Sequence, residues 1–262
     1  MAIRPNNMKA LMTSGKLVAS FSVNRWRSVD AAEIAKATGF EWLFLDLEHS
    51  LLNEEIACQI AVTALAVGVT PVARVGTDQF YQAARLLDGG VYGIIFPHVD
   101  SASQAAACVK ATKYPPLGAR SLTGPLPQAE FGHGADPKIM ARLNEETLTI
   151  VMVETLAALD AVESIAGVDG VDAVLIGTND LAADMGIPGQ LGDAKIGAAY
   201  NKVAAAVKKA GKFFGMGGVY SKDLMQRYIK TGVQFTLGGA DIGFVMEGAR
   251  ARREMIAGLT GS

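Results

Sequence analysis

Two carboxylates leave neighbouring strand ends in this chain. One apolar run, Val151-Met152-Val153, closes on Glu154, and the next, Leu175-Ile176, closes on Gly177-Thr178-Asn179-Asp180. Adjacent strands lie about 4.8 Å apart, so acids on successive strand tips can share one cation, with water and a bidentate substrate completing an octahedral shell. All-oxygen ligation favours Mg or Mn over zinc, and Co is also admissible. The structural alternative for Asp180 is a helix N-cap, because Leu181-Ala182-Ala183 follows it. Glu154 follows a continuous apolar strand and is harder to explain that way.

Upstream, Asp46-Leu47-Glu48-His49 and Val72-Ala73-Arg74-Val75 each end a buried-looking strand. Arg74 brings a fixed charge and a planar fork of donors, suited to a carboxylate or to the developing oxyanion of an enolate. Its structural alternative is an ion pair with Asp46 or Glu48. His49 is one of three histidines, and a neutral imidazole at a strand-to-loop junction can remove or return a proton near neutral pH. Asp88, in Leu86-Leu87-Asp88-Gly89-Gly90, could orient that ring as supporting carboxylates do for catalytic histidines, or could merely end a helix. His98 and His133 have no metal-ligand spacing, which counts against the histidine-rich metallohydrolases.

The elements that must position these groups are legible. Apolar runs recur at residues 17–23, 42–47, 71–75, 93–97, 148–153, 173–176, 212–216 and 234–237. Helical patterns lie between them at 31–38, 54–66, 79–87, 102–112, 157–166, 196–210, 222–230 and 244–256. Continuous apolar strands alternating with amphipathic helices mean parallel strands covered by helices. Eight such units predict an α/β fold, a closed (β/α)8 barrel, with residues 1–262 as one domain; no early Gly-x-Gly-x-x-Gly turn speaks for an open dinucleotide-binding sheet. In a barrel the strand C-termini face the site, which selects Asp46, Glu48, His49, Arg74, Glu154 and Asp180.

One long interruption, residues 114–146, holds Tyr114-Pro115-Pro116-Leu117-Gly118 and Gly132-His133-Gly134 and no strong strand. It is expected to fold over the barrel mouth or into a neighbouring subunit. The glycine turns Gly215-Met216-Gly217-Gly218 and Gly238-Gly239-Ala240 admit a phosphate site, or simply tight turns and close packing.

Composition narrows the partners. Charged residues are 19% of the chain, half the residues are hydrophobic and the net charge is −2, so nothing draws the protein to nucleic acid or to an anionic membrane. A small molecule is the expected partner. Cys58 and Cys108 sit in Ala-rich helical segments and read as reduced, buried thiols. The polar segment up to Lys16 has no apolar signal core, and the longest apolar stretch, residues 56–69, is too short to span a bilayer, so a cytoplasmic location is expected.

Taken in order, Asp46-Leu47-Glu48-His49, Val72-Ala73-Arg74-Val75, Leu86-Leu87-Asp88-Gly89-Gly90, Tyr114-Pro115-Pro116-Leu117-Gly118-Ala119-Arg120, Val153-Glu154 and Gly177-Thr178-Asn179-Asp180-Leu181 resemble the HpcH/HpaI aldolase family over nearly the whole chain. These are divalent-metal-dependent class II pyruvate aldolases of the phosphoenolpyruvate/pyruvate barrel superfamily. The resemblance implies reversible cleavage of 4-hydroxy-2-oxo acids to pyruvate or hydroxypyruvate plus an aldehyde. It implies Glu154 and Asp180 as metal ligands, His49 as the base assisted by Asp88, and Arg74 as the enolate's partner. Amides of Gly177, Thr178 and Asn179 would bind the substrate carboxylate, with Asp46 and the 114–120 loop near the aldehyde half. It also implies a homohexamer, a trimer of dimers, with a C-terminal helix over residues 241–259 exchanged between subunits.

The chain departs from the family pattern at Met152, where Gln is usual, at Thr178, where Pro is usual, and at Ser121 in place of Gly. Met152 still falls in the substrate-binding group by position. Two competing functions have weaker support: an acyl-CoA lyase of the same superfamily, for which no basic cluster offers a phosphate-tail site, and a non-catalytic barrel binding 2-oxo acids or phosphate.

Overall fold

The computed structural model describes residues 3–133 and 136–259, so Gly134 of the long interruption lies outside the described residues. In chain order the elements are α1 (Asn7–Thr13), β1 (Val18–Val23), α2 (Asp30–Ala37), β2 (Trp42–Asp46), α3 (Glu54–Val67), β3 (Thr70–Arg74), α4 (Phe80–Asp88), β4 (Gly93–Phe96) and α5 (Ala102–Thr112). A short hairpin follows, β5 (Pro125–Leu126) and β6 (Gly132–His133), then α6 (Pro137–Glu146) and β7 (Leu148–Val153). The chain continues through α7 (Leu156–Asp160), α8 (Val162–Ala166), β8 (Ala173–Gly177), α9 (Thr178–Asp184), α10 (Ala194–Ala210), β9 (Phe213–Gly217), α11 (Lys222–Ile229), β10 (Phe235–Ala240) and α12 (Asp241–Leu259).

Eight parallel strands close in the order β1-β10-β9-β8-β7-β4-β3-β2. All eight expected strands are present, their ends within three residues of expectation and β7 matching at both ends. Side chains alternate across this closed sheet. Phe44, Val72, Ile150, Met152, Leu175 and Phe235 fill the barrel interior, whereas Leu43, Leu45, Ala73, Val151, Val153 and Ile176 pack outward against the helices. The same alternation turns Asp46, Arg74 and Glu154 inward, since each stands two residues beyond an interior position.

Three parts were not foreseen. The polar N-terminal segment forms α1, capped by the Asn6 side chain on the Lys9 N–H, and it plugs the N-terminal end of the barrel with the buried Met8 and Met12. The expected helix over 157–166 is two short helices, α7 and α8. The interruption at 114–146 contains α6 and the hairpin, and it does not fold over its own barrel mouth. Its apolar residues Tyr114, Leu126, Ala129, Ile139 and Leu143 make a separate cluster. Gln128 Nε2 donates to the carbonyls of Leu87 and Val91, and Lys113 Nζ donates to Asn144 O at 2.9 Å and to Asp172 Oδ2 at 2.7 Å. Those anchors precede strands, so the excursion is held at the end opposite the strand C-termini.

Among the described residues no helix is long and apolar enough to cross a membrane. Cys58 and Cys108 are free. Burial pushes their thiols up to about 11 and about 12, respectively, so neither is a ready nucleophile.

Candidate active site

The strand C-termini surround a cavity of about 180 Å³ whose wall includes His49, Arg74, Met152, Glu154, Asn179, Asp180 and Tyr220. Residues more than a hundred positions apart in sequence thus face one small volume.

Glu154 extends from β7, where Val153 pairs in register with Ile176 of β8. One step further along brings the glutamate beside Gly177. A β-carbon at 177 would lie 2.5 Å from Glu154 Oε1, so glycine is required there to leave room for the carboxylate. Glu154 is buried, and its Oε2 accepts the His98 N–H at 2.9 Å. Burial is the main cause that raises its carboxyl above the usual range; the His98 N–H and ring oppose the rise, and the charges of Asp180 and Glu48 add to it.

Asp180 is not the helix N-cap. That position is Gly177, and Asp180 stands exposed in the first turn of α9. Among the described residues its carboxylate makes no hydrogen bond or ion pair. A buried acid and an unengaged acid on one cavity wall, with room secured by Gly177, fit a hard divalent cation and its oxygen ligands. Among the described residues there is no group of three or more acids, histidines or cysteines placed to hold a metal, so substrate and water oxygens would complete the shell.

Arg74 is held in the structural pairing considered above, and also faces the cavity. Its Nε and Nη2 donate to Asp46 Oδ1 and Oδ2 at 3.0 and 2.9 Å, while Nη1 lies 3.0 Å from Glu48 Oε2. The guanidinium lies over the Phe44 ring, 5.3 Å from its centroid. Burial disfavours the charge, but Asp46, Glu48 and Glu154 outweigh it and raise the arginine's pKa. Three of the five N–H groups are occupied, leaving two for a ligand.

Asp46, expected at the substrate, is buried and already engaged. Besides Arg74 it accepts from Asn24 Nδ2 at 3.1 Å and from the N–H groups of Glu48 and His49 at 3.2 and 3.3 Å. It therefore positions Arg74 and the start of the His49 loop. The Thr178 side chain is likewise engaged within the protein. Its buried hydroxyl donates to Gly217 O at 2.6 Å and takes up the Tyr200 hydroxyl at 2.8 Å, so the side chain joins β8 to β9 at the cavity wall. Met152 supplies an apolar wall at the position where the family pattern has Gln.

His49 reaches the cavity on a largely exposed side chain, with Nε2 3.7 Å from Glu48 Oε2. The expected support from Asp88 is not present within the chain. Asp88 ends α4 at the opposite end of the barrel and pairs with Arg120 at 2.6 Å; Arg120 in turn lies over Tyr114, 4.6 Å from the ring centroid. The whole Tyr114 to Arg120 loop is therefore remote from this chain's own mouth.

Glu48 was selected by the strand-end rule but given no role, and His98 and Tyr220 were not assigned to the site. Glu48 sits between Arg74, His49 and His98, the last at 3.9 Å. His98 adopts a left-handed backbone, φ 54°, at the end of β4, which aims its N–H at Glu154 and sets Nδ1 3.6 Å from Glu154 Oε2. Such a backbone is uncommon outside glycine and marks an enforced geometry. His98 was accessible through the strand-end rule. Tyr220 lies beyond a strand end, and no motif announced it.

Residues 26–247 match the family model described as HpcH/HpaI aldolase/citrate lyase. The chain belongs to the HpcH/HpaI family. It is 38% identical over 238 residues to a 4-hydroxy-4-methyl-2-oxoglutarate aldolase of Chaetomium globosum, covering 88% of each chain. It is 34% identical over 258 residues to a hydroxypyruvate/pyruvate aldolase of Sagittula stellata, covering 97% of this chain and 98% of the other. The crystal structure of an HpcH/HpaI aldolase from Desulfitobacterium hafniense DCB-2 superposes with a TM-score of 0.90 at 27% identity, over 97% of both chains. At this chain's barrel mouth, Glu154, Asp180, Arg74 and His49 line one cavity.

Proposed function

We propose that the protein is a divalent-metal-dependent class II aldolase that cleaves 4-hydroxy-2-oxo acids to pyruvate or hydroxypyruvate and an aldehyde, reversibly. The observation that carries this reading is the convergence of Glu154, Asp180, Arg74 and His49 on one cavity of about 180 Å³. Glu154 and Asp180 would hold a Mg or Mn ion, which when bound supplies Lewis-acid stabilisation of negative charge on the 2-oxo group. The chain's own residues supply the rest. Arg74, fixed by Asp46 and Glu48, directs its two remaining N–H groups at the oxyanion as charge moves onto it. Amides of Gly177 to Asn179 orient the carboxylate. His49 moves the proton, through water, and Glu48 orients its ring.

The same reading treats residues 1–262 as one domain that acts as a homohexamer, a trimer of dimers, with α12 exchanged. Helix α12 supports this: Asp241 is its one buried residue, and Ile242, Val245, Met246, Met255, Ile256 and Leu259 are all substantially exposed. Assistance of His49 by Asp88 then belongs to a contact between subunits, because the two stand at opposite ends of one barrel. Asp88 is partly exposed, and beside it the buried Tyr114 Oη and Arg120 Nε have no hydrogen-bond partner among the described residues. The two free thiols are in keeping with a cytoplasmic setting.

Proton exchange tests the reading. With Mg or Mn present, the enzyme should wash the methyl protons of pyruvate, or the methylene protons of hydroxypyruvate, into deuterated water. An absence of exchange with both compounds would refute the aldolase assignment.

A further inference from the structure

The groups that face the enolate half of the substrate are accounted for, but the oxygen on the carbon destined to become the aldehyde has no dedicated donor. Tyr220 lines the same cavity. It also borders a second cavity of about 490 Å³, lined by Met225, Gly239, Ala240, Phe244 and Glu247. The phenol thus borders both the site cavity and the larger one, which has room for the aldehyde half of a substrate.

Its root is fixed. Gly217 O is held by the Thr178 hydroxyl. Gly218 takes φ 82° with the Asn179 amide packed where a β-carbon would be, 2.4 Å away, and Gly218 O accepts from Asn179 Nδ2 at 3.4 Å. Val219 is buried. Tyr220 itself is half-exposed, and among the described residues its hydroxyl makes no hydrogen bond. Burial raises the phenol's pKa, with Arg74 opposing and Asp46 adding to the rise, so the group remains protonated as a donor at neutral pH.

We propose that Tyr220 is a catalytic residue for the carbon-carbon step, its Oη–H donating a hydrogen bond to the C4 oxygen. This rests on the aldolase reading and adds a role for the acceptor half. In cleavage the C3–C4 bond breaks and its electron pair forms the enolate; the C4 hydroxyl loses its proton to the His49 relay, and its oxygen becomes the aldehyde carbonyl. In condensation the enolate carbon attacks that carbonyl and the oxygen takes the proton back. Tyr220 stabilises the charge on this oxygen in both directions without net transfer of its own proton, as preorganised donors do. Proton exchange of pyruvate involves no C4 oxygen and does not call on it.

The test compares two readouts on the metal-loaded enzyme. For Tyr220→Phe, kcat/KM for cleavage of 4-hydroxy-2-oxopentanoate, and for its formation from pyruvate and acetaldehyde, should fall about a hundredfold. Pyruvate methyl exchange should change far less, within about threefold. Equal loss of both reactions would make Tyr220 a structural support, and undiminished cleavage would remove its role; either overturns the proposal. A wild-type enzyme that cleaves and exchanges nothing would instead overturn the aldolase reading, and this role with it.

Discussion

Asp46 and Arg74 are register partners at the ends of β2 and β3, and the guanidinium meets the carboxylate with two parallel hydrogen bonds of 3.0 and 2.9 Å. The pairing follows from strand alignment and leaves one edge of the arginine for the cavity.

Arg74→Lys should therefore be damaging despite its conserved charge. A single ammonium cannot satisfy Asp46 twice, reach Glu48 and still present donors to a substrate. Activity is expected to fall by about two orders of magnitude or more, and breaking the buried pair should cost about 3 kcal/mol in denaturant unfolding. Unchanged kcat/KM would remove Arg74 from the reaction.

Gly177→Ala changes neither proposed metal ligand. Its methyl group would nevertheless displace Glu154, because the β-carbon falls 2.5 Å from Oε1. Mn affinity by calorimetry should drop about tenfold or more, whereas Gly243→Ala, with open space at its β-carbon, should leave it intact.

Burial raises the Glu154 pKa above 4.5 in the folded protein. Its ionised form is thus less favourable in the fold than in the unfolded chain, so its contribution is most stabilising below 4.5 and is lost as pH rises through the raised value. In metal-free protein, Glu154→Gln should gain stability relative to wild type across that window and above it. Equal pH profiles of the melting temperature for the two proteins would contradict this.

If His49 and Asp88 meet between subunits, mixed oligomers should complement. His49→Ala and Asp88→Asn chains, each impaired alone, should regain part of the activity when dissociated and reassembled together. Mixing that restores nothing would confine Asp88 to its pair with Arg120.

Thr178→Val keeps volume but removes the hydroxyl that joins Gly217 O to Tyr200. A loss of about 1–2 kcal/mol in unfolding free energy is expected. An unaltered midpoint in urea would show that the β8 to β9 connection does not depend on it.

Much of the fold was legible because a buried parallel strand needs a continuous apolar run and a covering helix needs a periodic one. That pattern gave eight strands and, through their ends, Glu154, Asp180, Arg74 and His49 as a set. It could not give α1, whose Met8 and Met12 contribute too little periodicity in seven residues, nor the seat of the 114–146 excursion, which is decided by distant carbonyls at Leu87 and Val91 and by the Asp172 carboxylate that holds Lys113.

The limits within the site have the same origin. Residue types and strand-end positions determined by themselves that carboxylates, a guanidinium and an imidazole would gather at one barrel mouth. Only the tertiary structure decided how they divide the work. Hydrogen bonds between residues 28 positions apart engage Asp46 with Arg74, closure of the barrel leaves Glu154 buried and Asp180 unengaged among the described residues, and the helix direction carries Asp88 to the far end. Such assignments depend on distances and competing partners, and local sequence encodes neither.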